Sequence, residues 1–304
     1  MARVTVTRSL PFPALDRLAA VHPVTTWDGA LPPAPDELRA LVAGADGLLC
    51  LLTDRVDAAL LDATPSLRAI AVLAVGTDNV DLDAARERGV AVGNTPDVLT
   101  EATADLTWAL ILAAARRLPE AAAAVRDGEW RTWEPAGWLG LELHGATLGV
   151  VGHGRIGRAV ARRAEGFGMR IVHTGDTPLD DVLAAADVLT LHLPLTERTR
   201  HLIDARALAR VKPGAILVNT SRGGVIDQDA LAAALREGRL GYGALDVTEP
   251  EPLPPDHPLL GAPNLLVVPH IGSATHVTRG RMADMAVDNL LAALAGRPMP
   301  HAVA

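Results

Sequence analysis

The chain has 304 residues, a formal net charge of −8, and 49% hydrophobic but only 3% aromatic residues. This length suits two domains, and the apolar content excludes a disordered chain. An acidic chain without long basic runs is a poor nucleic-acid binder. The single cysteine, Cys50, excludes a disulfide framework and a cysteine-based zinc cluster. We therefore expect neither a metal site nor a nucleic-acid partner.

The N-terminal segment and the longest apolar helix bear on localisation. Residues 1–8 alternate like a strand and lack the apolar region of a signal peptide. The apolar stretch 108–115 ends at two arginines and is too short to cross a bilayer. These features predict a cytoplasmic protein with no membrane partner.

The first part of the chain alternates strand-like and helix-like segments. Strands are predicted at 2–7, 45–52, 67–75 and 90–92, and helices at 11–20, from 33, at 57–63 and at 82–88. This repeat predicts a parallel sheet covered by helices. Asp97 is then expected to cap a long helix that runs to Arg117 and forms the first crossing between domains, and Pro119 is expected to kink or restart it.

A glycine-rich turn opens the second series. Leu148 to Val151 is predicted as a buried strand, and Gly152, Gly154 and Gly157 follow in G-x-G-x-x-G spacing before a helix and a second strand. The first glycine permits a tight turn, the second lets backbone approach a pyrophosphate, and the third lets helix pack on strand. The helix N-terminus offers free N–H groups to the phosphates. In this order of elements the motif predicts dinucleotide binding.

Later strands are predicted at 186–192, 215–219, 243–247 and 265–268, with helices at 204–210, 227–237 and 274–294. We expect the last helix to return to the first domain. The chain is thus predicted to form a discontinuous domain of residues 1–97 and 285–304 and a dinucleotide-binding domain of residues 98–284. Both are α/β domains with doubly wound parallel sheets.

Three polar segments follow predicted strands of the second series, where ligands bind in open α/β sheets. Arg222 lies between a strand end and two glycines, where its guanidinium could hold a carboxylate or simply face solvent. Glu251 lies in a proline-flanked loop after Asp246, which could also be an ordinary acidic loop. His270 follows the last strand, and a lone histidine is more often structural.

Together these residues make a reductase constellation. A carboxylate beside an imidazole stabilises the protonated ring. Such a pair can give a proton to a carbonyl oxygen while nicotinamide delivers hydride to the carbon. Arg222 would orient an α-keto acid.

The chain resembles the D-isomer-specific 2-hydroxyacid dehydrogenase family over nearly its whole length. The matching motifs are Gly152-His-Gly-Arg-Ile-Gly, His192-Leu-Pro-Leu-Thr, Asn219-Thr-Ser-Arg-Gly-Gly, Asp246-Val-Thr-Glu-Pro-Glu-Pro and Pro269-His-Ile-Gly-Ser. The resemblance implies a Rossmann cofactor domain, a flavodoxin-like substrate domain, and Arg222, Glu251 and His270 as the catalytic set. Glu251 is preferred to Glu249 because it belongs to the last Glu-Pro.

The resemblance also implies residues that touch ligands. For the substrate these are Val75 and Gly76, together with Arg222 and His270. For the cofactor they are the three glycines of the turn and Thr103, Arg155, Ile156, Asp176, Pro194, Thr199, Thr220, Asp246 and Gly272.

Within that family the chain is most similar to the glyoxylate/hydroxypyruvate reductases. Leu48 to Asp54, Asn94 to Thr100, Arg117 to Ala121, the Trp130/Trp133 segment and Pro298-Met-Pro are similar to that branch. The branch is dimeric and lends a tryptophan to the partner's active site. Trp133 is the first match and Trp130 the second, although both could merely wedge a dimer arm.

Two departures from the family pattern concern the cofactor. His153 replaces an aliphatic residue between the first two glycines, and we expect it to be a loop residue beside the cofactor that acts as neither acid nor base. The usual ribose-binding acid aligns with Gly175, and Asp176 stands where NADP-preferring reductases often carry arginine. A carboxylate accepts from a ribose 2′-OH and repels a 2′-phosphate, so NAD is the predicted cofactor, with NADH preferred over NADPH. A short connection after Asp176 leaves the adenosine side more open.

The predicted function is reduction of glyoxylate or hydroxypyruvate to the D-2-hydroxy acid by a homodimer. An alternative is the same chemistry on 3-phosphoglycerate, phosphite or a bulkier 2-keto acid. The lack of a further domain after Ala304 is expected to disfavour phosphoglycerate. A less favoured alternative is a nicotinamide-sensing binding protein.

Overall fold

The computed structural model describes all 304 residues. The chain divides into two compact units, one of residues 1–99 and 274–304 and one of residues 100–273. No helix is long and apolar enough to cross a membrane.

The first unit is a five-stranded parallel sheet with the order β2-β1-β3-β4-β5. Its strands are β1 (Val4–Val6), β2 (Val24–Thr26), β3 (Gly47–Cys50), β4 (Ala69–Val72) and β5 (Ala91–Gly93). Its helices are α1 (Ala14–Ala19), α2 (Pro35–Val42), α3 (Ala58–Ala63), α4 (Leu82–Glu87) and α11 (His276–Leu294). The strand order is that of flavodoxin-like sheets.

Alternation along the strands covers both faces of this sheet. In β3, Leu48 and Cys50 enter one apolar cluster, whereas Leu49 between them enters the other. Successive side chains of a strand point to opposite faces, so a strand buried on both faces is apolar throughout. α11 contributes Ala283, Val287 and other residues to the second cluster.

The second unit is a six-stranded parallel sheet with the order β11-β10-β9-β8-β6-β7. Its strands are β6 (Thr147–Val151), β7 (Arg170–His173), β8 (Val188–Leu191), β9 (Ala215–Asn219), β10 (Leu240–Leu245) and β11 (Leu265–Val267). Its helices are α5 (Thr100–Ala115), α6 (Leu118–Arg126), α7 (Arg155–Glu165), α8 (Leu179–Ala185), α9 (Ala205–Leu208) and α10 (Gln228–Arg236). Two apolar clusters again cover its two faces. The fold is therefore two doubly wound parallel-sheet units, as predicted.

The predicted boundary at residue 284 differs from the observed division at 273/274. Residue 284 lies in the middle of α11. Within the first unit, Arg17 of α1 pairs with both Asp284 and Asp288. The whole helix packs with that unit, so the division precedes the helix.

Asp97 precedes the helix that it was predicted to cap. α5 begins at Thr100, and Asp97 has a φ of 66° in the turn before it. Pro119 does mark a restart, because it lies in the first turn of α6 after Arg117, whose φ is 52°.

β7 is one of the two edge strands of the second sheet, opposite β11. Only residues 174–178 connect it to α8, so there is no room for another strand beyond it. In the six-stranded order typical of dinucleotide-binding sheets, a third strand lies outside this position. The short connection noted in the sequence therefore leaves the sheet open at β7.

Candidate active site

The strand order brings the predicted site loops of the second unit to one edge of the sheet. In parallel sheets all carboxyl ends lie together, and ligands bind where the order reverses, here between β6 and β8. Along this edge the loops that follow the strands lie in the spatial order β7, β6, β8, β9, β10 and β11. They carry Asp176, Gly152 to Gly157, Pro194, Thr220 with Arg222, Asp246 with Glu251, and His270, respectively.

Each glycine of the turn after β6 is explained by its surroundings. Gly152 has a φ of 93°, and a Cβ there would lie 2.5 Å from the His192 carbonyl oxygen. At Gly157 a Cβ would lie 2.1 Å from the Gly152 carbonyl oxygen, so helix and turn touch through bare backbone. At Gly154 a Cβ would meet nothing within 4 Å.

The open space at Gly154 fits a dinucleotide pyrophosphate. Gly154 is the N-cap of α7, and Arg155 and Ile156 are its first two residues. The first N–H groups of a helix have no partner within it and carry the positive end of the dipole. Thr174 closes the turn from the side, because its hydroxyl accepts a hydrogen bond from the Gly152 N–H at 2.9 Å.

The loops after β8 and β9 are fixed by threonine hydroxyls. The Thr199 hydroxyl donates to the Pro194 carbonyl at 2.6 Å and so closes the loop after β8. The hydroxyls of Thr220 and Thr107, both buried, lie 2.9 Å apart. The Thr107 contact ties the loop after β9 to α5, on which Thr103 lies one turn earlier.

Asp246 connects the end of β10 to the loop after β11. Its two carboxylate oxygens accept from the N–H groups of Ile271 at 2.6 Å and Gly272 at 2.9 Å. Its backbone carbonyl accepts from the His270 N–H at 2.9 Å. Burial raises the pKa of Asp246, although the two N–H groups act in the opposite direction. Thr103 approaches the same loop through the Gly272 carbonyl, 3.4 Å from its hydroxyl.

His270 and Glu251 are in contact. Nδ1 of His270 and Oε1 of Glu251 form a short hydrogen bond, and both side chains remain about a quarter exposed, at 26% and 29%. His270 has a φ of 51°, in the left-handed region, which is uncommon for a residue other than glycine. The hydrogen bond from its N–H to Asp246 holds that conformation. The ring's Nε2 is left for another partner.

Arg222 follows β9, next to the strand that carries Asp246 and Glu251. Asn219 shapes its loop, because the Asn219 amide donates to the Arg222 carbonyl at 2.8 Å and its oxygen accepts from Ser221. The Arg222 guanidinium donates to the Ser221 carbonyl at 2.8 Å. This half-buried cation thus lies in the loop after β9, and the Glu251 loop follows the neighbouring strand β10.

The other glutamate of the Glu-Pro-Glu-Pro segment has different partners. Glu249 accepts two hydrogen bonds of 2.9 Å from Arg200 and lies 3.7 Å from Nε2 of His201. Its backbone N–H donates to Gln228 at 2.9 Å. The geometry therefore places Glu251, and not Glu249, at His270.

The end of β7 carries Asp176 and an unpredicted contact. His153 and His173 stack with ring centroids 3.6 Å apart and an interplanar angle of 11°. Oδ1 of Asp176 lies 3.3 Å from Nδ1 of His173 and accepts from the Thr177 hydroxyl at 2.9 Å. His153 lies in the loop after β6, as expected, and its packing on His173 was not predicted.

The predicted substrate loop belongs to the first unit. It follows β4, and its shape is fixed by amides from both sides. The Asn94 side chain donates to the Val75 carbonyl at 2.7 Å. The Asn79 side chain donates to the Leu51 and Asp54 carbonyls at 3.0 and 2.8 Å. Val75 itself is 37% exposed, so the Val75-Gly76 backbone lies at the surface of this unit.

The tryptophan segment is an exposed excursion of the second unit. Every residue from 125 to 140 is exposed, including Trp130 at 65%, Trp133 at 79% and Leu139 at 68%. The segment ends where the Leu141 N–H donates to the Ala115 carbonyl at 2.8 Å. A run of exposed large apolar side chains of this kind is typical of interaction surfaces.

Some residues of the site were not predicted. Besides the histidine stack, they include Asn219, Thr107 and His192. His192 follows β8, and burial lowers the pKa of its ring to about 3, so the ring is neutral. Asn219 and His192 stand inside the sequence motifs given above, and Thr107 stands one helical turn after Thr103. Their positions, directly at strand ends or on the same helix face as Thr103, could have identified them as residues of the site.

These features define a class of protein. A glycine turn that leads into a helix N-terminus, followed along the sheet edge by an arginine and a paired histidine and glutamate, is typical of nicotinamide-dependent oxidoreductases.

Comparisons with known proteins narrow this class. The family model for the NAD binding domain of D-isomer specific 2-hydroxyacid dehydrogenases matches residues 108–272. A glyoxylate reductase of Korarchaeum cryptofilum is 46% identical over 316 residues, covering 99% of this chain and 95% of the relative. The crystal structure of the TT0316 protein of Thermus thermophilus superposes with a TM-score of 0.94 at 52% identity, covering 99% of this chain and all of that one.

A third relative was solved with ligands. The NADPH-dependent glyoxylate/hydroxypyruvate reductase of Sinorhizobium meliloti, in complex with NADP and malonate, has a TM-score of 0.87 at 35% identity, with 100% and 97% of the two chains covered. The chain described here belongs to the D-isomer specific 2-hydroxyacid dehydrogenase family. It is an oxidoreductase of the NAD(P)-dependent kind.

Proposed function

We propose that this protein reduces glyoxylate or hydroxypyruvate to the 2-hydroxy acid, with the D configuration where the product is chiral. The observation that carries the proposal is the His270–Glu251 hydrogen bond next to the Arg222 loop, at the edge of a sheet whose glycine turn fits a pyrophosphate. Relatives over the whole length that are called glyoxylate reductase support the choice of substrate.

The proposed roles follow from the contacts. Nε2 of His270 donates a proton to the carbonyl oxygen of the keto acid. Glu251, at the opposite ring nitrogen, fixes the orientation of the imidazole and stabilises the positive charge of its protonated form. Arg222 binds the keto acid through its guanidinium and polarises the carbonyl. Asp246 acts as a positioning residue, because it holds the His270 backbone and the next two N–H groups.

The cofactor would be held by the loops along the sheet edge. Gly154 and the first residues of α7 would bind the pyrophosphate, and the loops of Pro194, Thr199, Thr220 and Gly272 would line the rest. When bound, the nicotinamide supplies a hydride to the carbonyl carbon.

We further propose that NADH is preferred to NADPH. Asp176 lies in the connection after β7, with a carboxylate 69% exposed. An exposed carboxylate accepts a hydrogen bond from a ribose 2′-OH and repels a 2′-phosphate. The Sinorhizobium meliloti reductase is NADPH-dependent, so the segment after β7 is where we expect the two proteins to differ.

The proposal also covers the binding of the substrate carboxylate and the oligomeric state. The Val75-Gly76 backbone would bind the carboxylate. The exposed tryptophan segment would pair two copies of the chain into a homodimer, with Trp133 reaching the partner's active site.

A panel of 2-keto acids with each cofactor tests the proposed function. Oxidation of NADH and NADPH is followed with glyoxylate, hydroxypyruvate, pyruvate, a branched 2-keto acid and 3-phosphohydroxypyruvate. We expect the highest kcat/KM with glyoxylate or hydroxypyruvate, and with NADH. A larger kcat/KM for one of the other acids would contradict the substrate, and a tenfold advantage for NADPH would contradict the cofactor preference.

A further inference from the structure

The stacked pair of His153 and His173 has no part in the chemistry proposed above. His153 stands in the glycine turn after β6, and His173 is the last residue of β7. The register of the two strands pairs Val150 with His173, and this register brings the ring from the turn over the ring from the strand. The pair therefore sits at the open edge of the sheet, next to the turn that fits the pyrophosphate.

Both rings direct the same nitrogen towards Gly175. A Cβ at residue 175 would lie 3.0 Å from Nδ1 of His173 and 3.2 Å from Nδ1 of His153. A side chain there would press on both imidazoles. The acidic group of this segment comes instead from Asp176, whose Oδ1 lies 3.3 Å from Nδ1 of His173. Two imidazoles and one carboxylate are thus grouped at the end of β7.

The stack can take up one proton but not easily two. Two positive rings in face-to-face contact repel each other, so the second proton is disfavoured. Burial first, and then the charge of His173, lowers the pKa of His153. The charged residues of the neighbouring elements are Arg155 and Arg158 in the first turns of α7, Asp176 after β7, and Asp180 and Asp181 in the first turn of α8, of which Asp180 pairs with Arg210.

We propose that the His153–His173 stack and Asp176 form a proton-linked selector for the 2′ position of the adenosine ribose. With the stack neutral, Asp176 favours the 2′-hydroxyl of NAD. With one proton on the stack, the positive charge offsets Asp176 and admits the 2′-phosphate of NADP. This inference rests on the proposed cofactor site and makes cofactor choice depend on pH.

Linkage fixes the direction of the effect. If a protonated stack binds NADP more tightly, bound NADP must favour the protonated stack by the same factor. One linked proton changes the NADP dissociation constant by at most about tenfold per pH unit. The affinity for NADP should therefore rise as pH falls, while the affinity for NAD stays nearly constant.

Binding without keto acid measures this directly. The dissociation constants of NAD⁺ and NADP⁺ are determined by titration calorimetry between about pH 5.5 and 8.5. We expect the value for NADP⁺ to fall on the order of tenfold from pH 8 to pH 6, against less than about twofold for NAD⁺. Equal pH dependence for the two nucleotides would overturn the proposal.

The 2′-phosphate itself takes up a proton near pH 6, so a variant must separate the two sources. His153→Phe/His173→Phe keeps two stacked rings of similar size but cannot bind the proton. Its NADP⁺ curve should lose most of the pH dependence. Asp176→Asn should bind NADP⁺ more tightly at every pH and keep the slope. A double phenylalanine variant with the wild-type slope would assign the effect to the phosphate and overturn the proposal.

A measurement on the wild-type protein covers the case in which the variant does not fold. Both rings of the stack, His153 and His173, are titrated by NMR in the presence of saturating NADP⁺ or NAD⁺. We expect the stack to take up its proton at higher pH with NADP⁺, and identical titrations of both rings would contradict the proposal. Because neither experiment uses a keto acid, a failed selector and a failed reductase assignment are distinguishable.

Discussion

His270 is the residue on which the proposed chemistry depends most. His270→Gln removes the proton donor and keeps a side chain of similar size. We expect kcat to fall by about a hundredfold or more, the usual scale of general acid catalysis. The measurement is steady-state reduction of glyoxylate at saturating NADH.

Glu249→Gln is the matched control, because Glu249 bonds to Arg200 and does not touch His270. It should keep kcat close to the wild-type value, whereas Glu251→Gln should not. A His270→Gln enzyme with full kcat would remove His270 from the mechanism.

The buried carboxyl of Asp54 should make the free energy of unfolding depend on pH. It is buried and accepts hydrogen bonds from the Thr7 hydroxyl and the Leu51 N–H. Burial raises the pKa of Asp54 in the folded state. The folded protein therefore holds this proton to higher pH than the unfolded chain. The resulting stabilisation is complete below the unfolded pKa of about 3.9 and is lost as pH rises through the folded value.

Asp54→Asn should thus gain stability relative to wild type as pH rises from about 4 to 7. Urea unfolding at several pH values measures the difference, with the exposed Asp16→Asn as control. Parallel stability curves for wild type and Asp54→Asn would show that the carboxyl ionises alike in both states.

At the scale of the elements, the turn between β6 and α7 contains one glycine needed for packing and another expected to be needed for binding. A methyl group at Gly157 would meet the Gly152 carbonyl oxygen, whereas one at Gly154 would enter open space. Gly157→Ala should therefore cost about 1–3 kcal/mol of stability through overpacking. Gly154→Ala should leave the melting temperature almost unchanged and weaken NADH binding, because the methyl occupies the space of the pyrophosphate.

Thermal unfolding and NADH titration of the two variants test this pairing. Wild-type NADH affinity in Gly154→Ala would mean that the pyrophosphate does not lie there. An unchanged melting temperature in Gly157→Ala would mean that the turn relaxes without cost.

Most of the order of elements was predictable because it depends on local patterns, but the short strand β2 (Val24–Thr26) and the helix α8 (Leu179–Ala185) were not predicted. Continuous apolar runs of four or five residues, such as Leu148 to Val151, are buried strands wherever helices cover both faces. The positive φ of Asp97, in the turn before α5, was not indicated by any local pattern. The histidine stack was not predictable either, since it depends on the register between β6 and β7.

The site was predictable in its parts but not in its contacts. Polar residues directly after strands indicated the edge of the sheet on which Arg222, Glu251 and His270 lie. Which of Glu249 and Glu251 reaches His270 depends on the path of the loop after β10. That path depends on the residues that each carboxylate contacts, and composition and spacing do not predict those contacts.

At the scale of the whole molecule, the tryptophan segment is the surface that we propose for pairing two copies of the chain. Trp130→Ser/Trp133→Ser removes two exposed rings without touching a buried side chain. We expect the dimer dissociation constant, measured by sedimentation velocity, to rise by at least about tenfold, since aromatic anchors dominate interfaces. Leu31→Ser, at another exposed apolar residue, should have no effect.

Trp133→Ser alone separates assembly from a role in the active site. A raised KM for glyoxylate in a protein that stays dimeric would support a contact with the partner's substrate. An unchanged oligomeric state in the double variant, or a wild-type protein that is monomeric, would contradict the proposed use of this surface.

The position of β7 at the edge of its sheet also affects local opening of the backbone. Residues hydrogen-bonded to β6 alone are restrained from one side, so their amide protons are exposed to solvent more often than those of the inner strands. The same short strand leads to His173 and Asp176. Because Asp176 belongs to the proposed nucleotide site, we expect a bound nucleotide to slow deuterium uptake at β7 more than at β8 or β9.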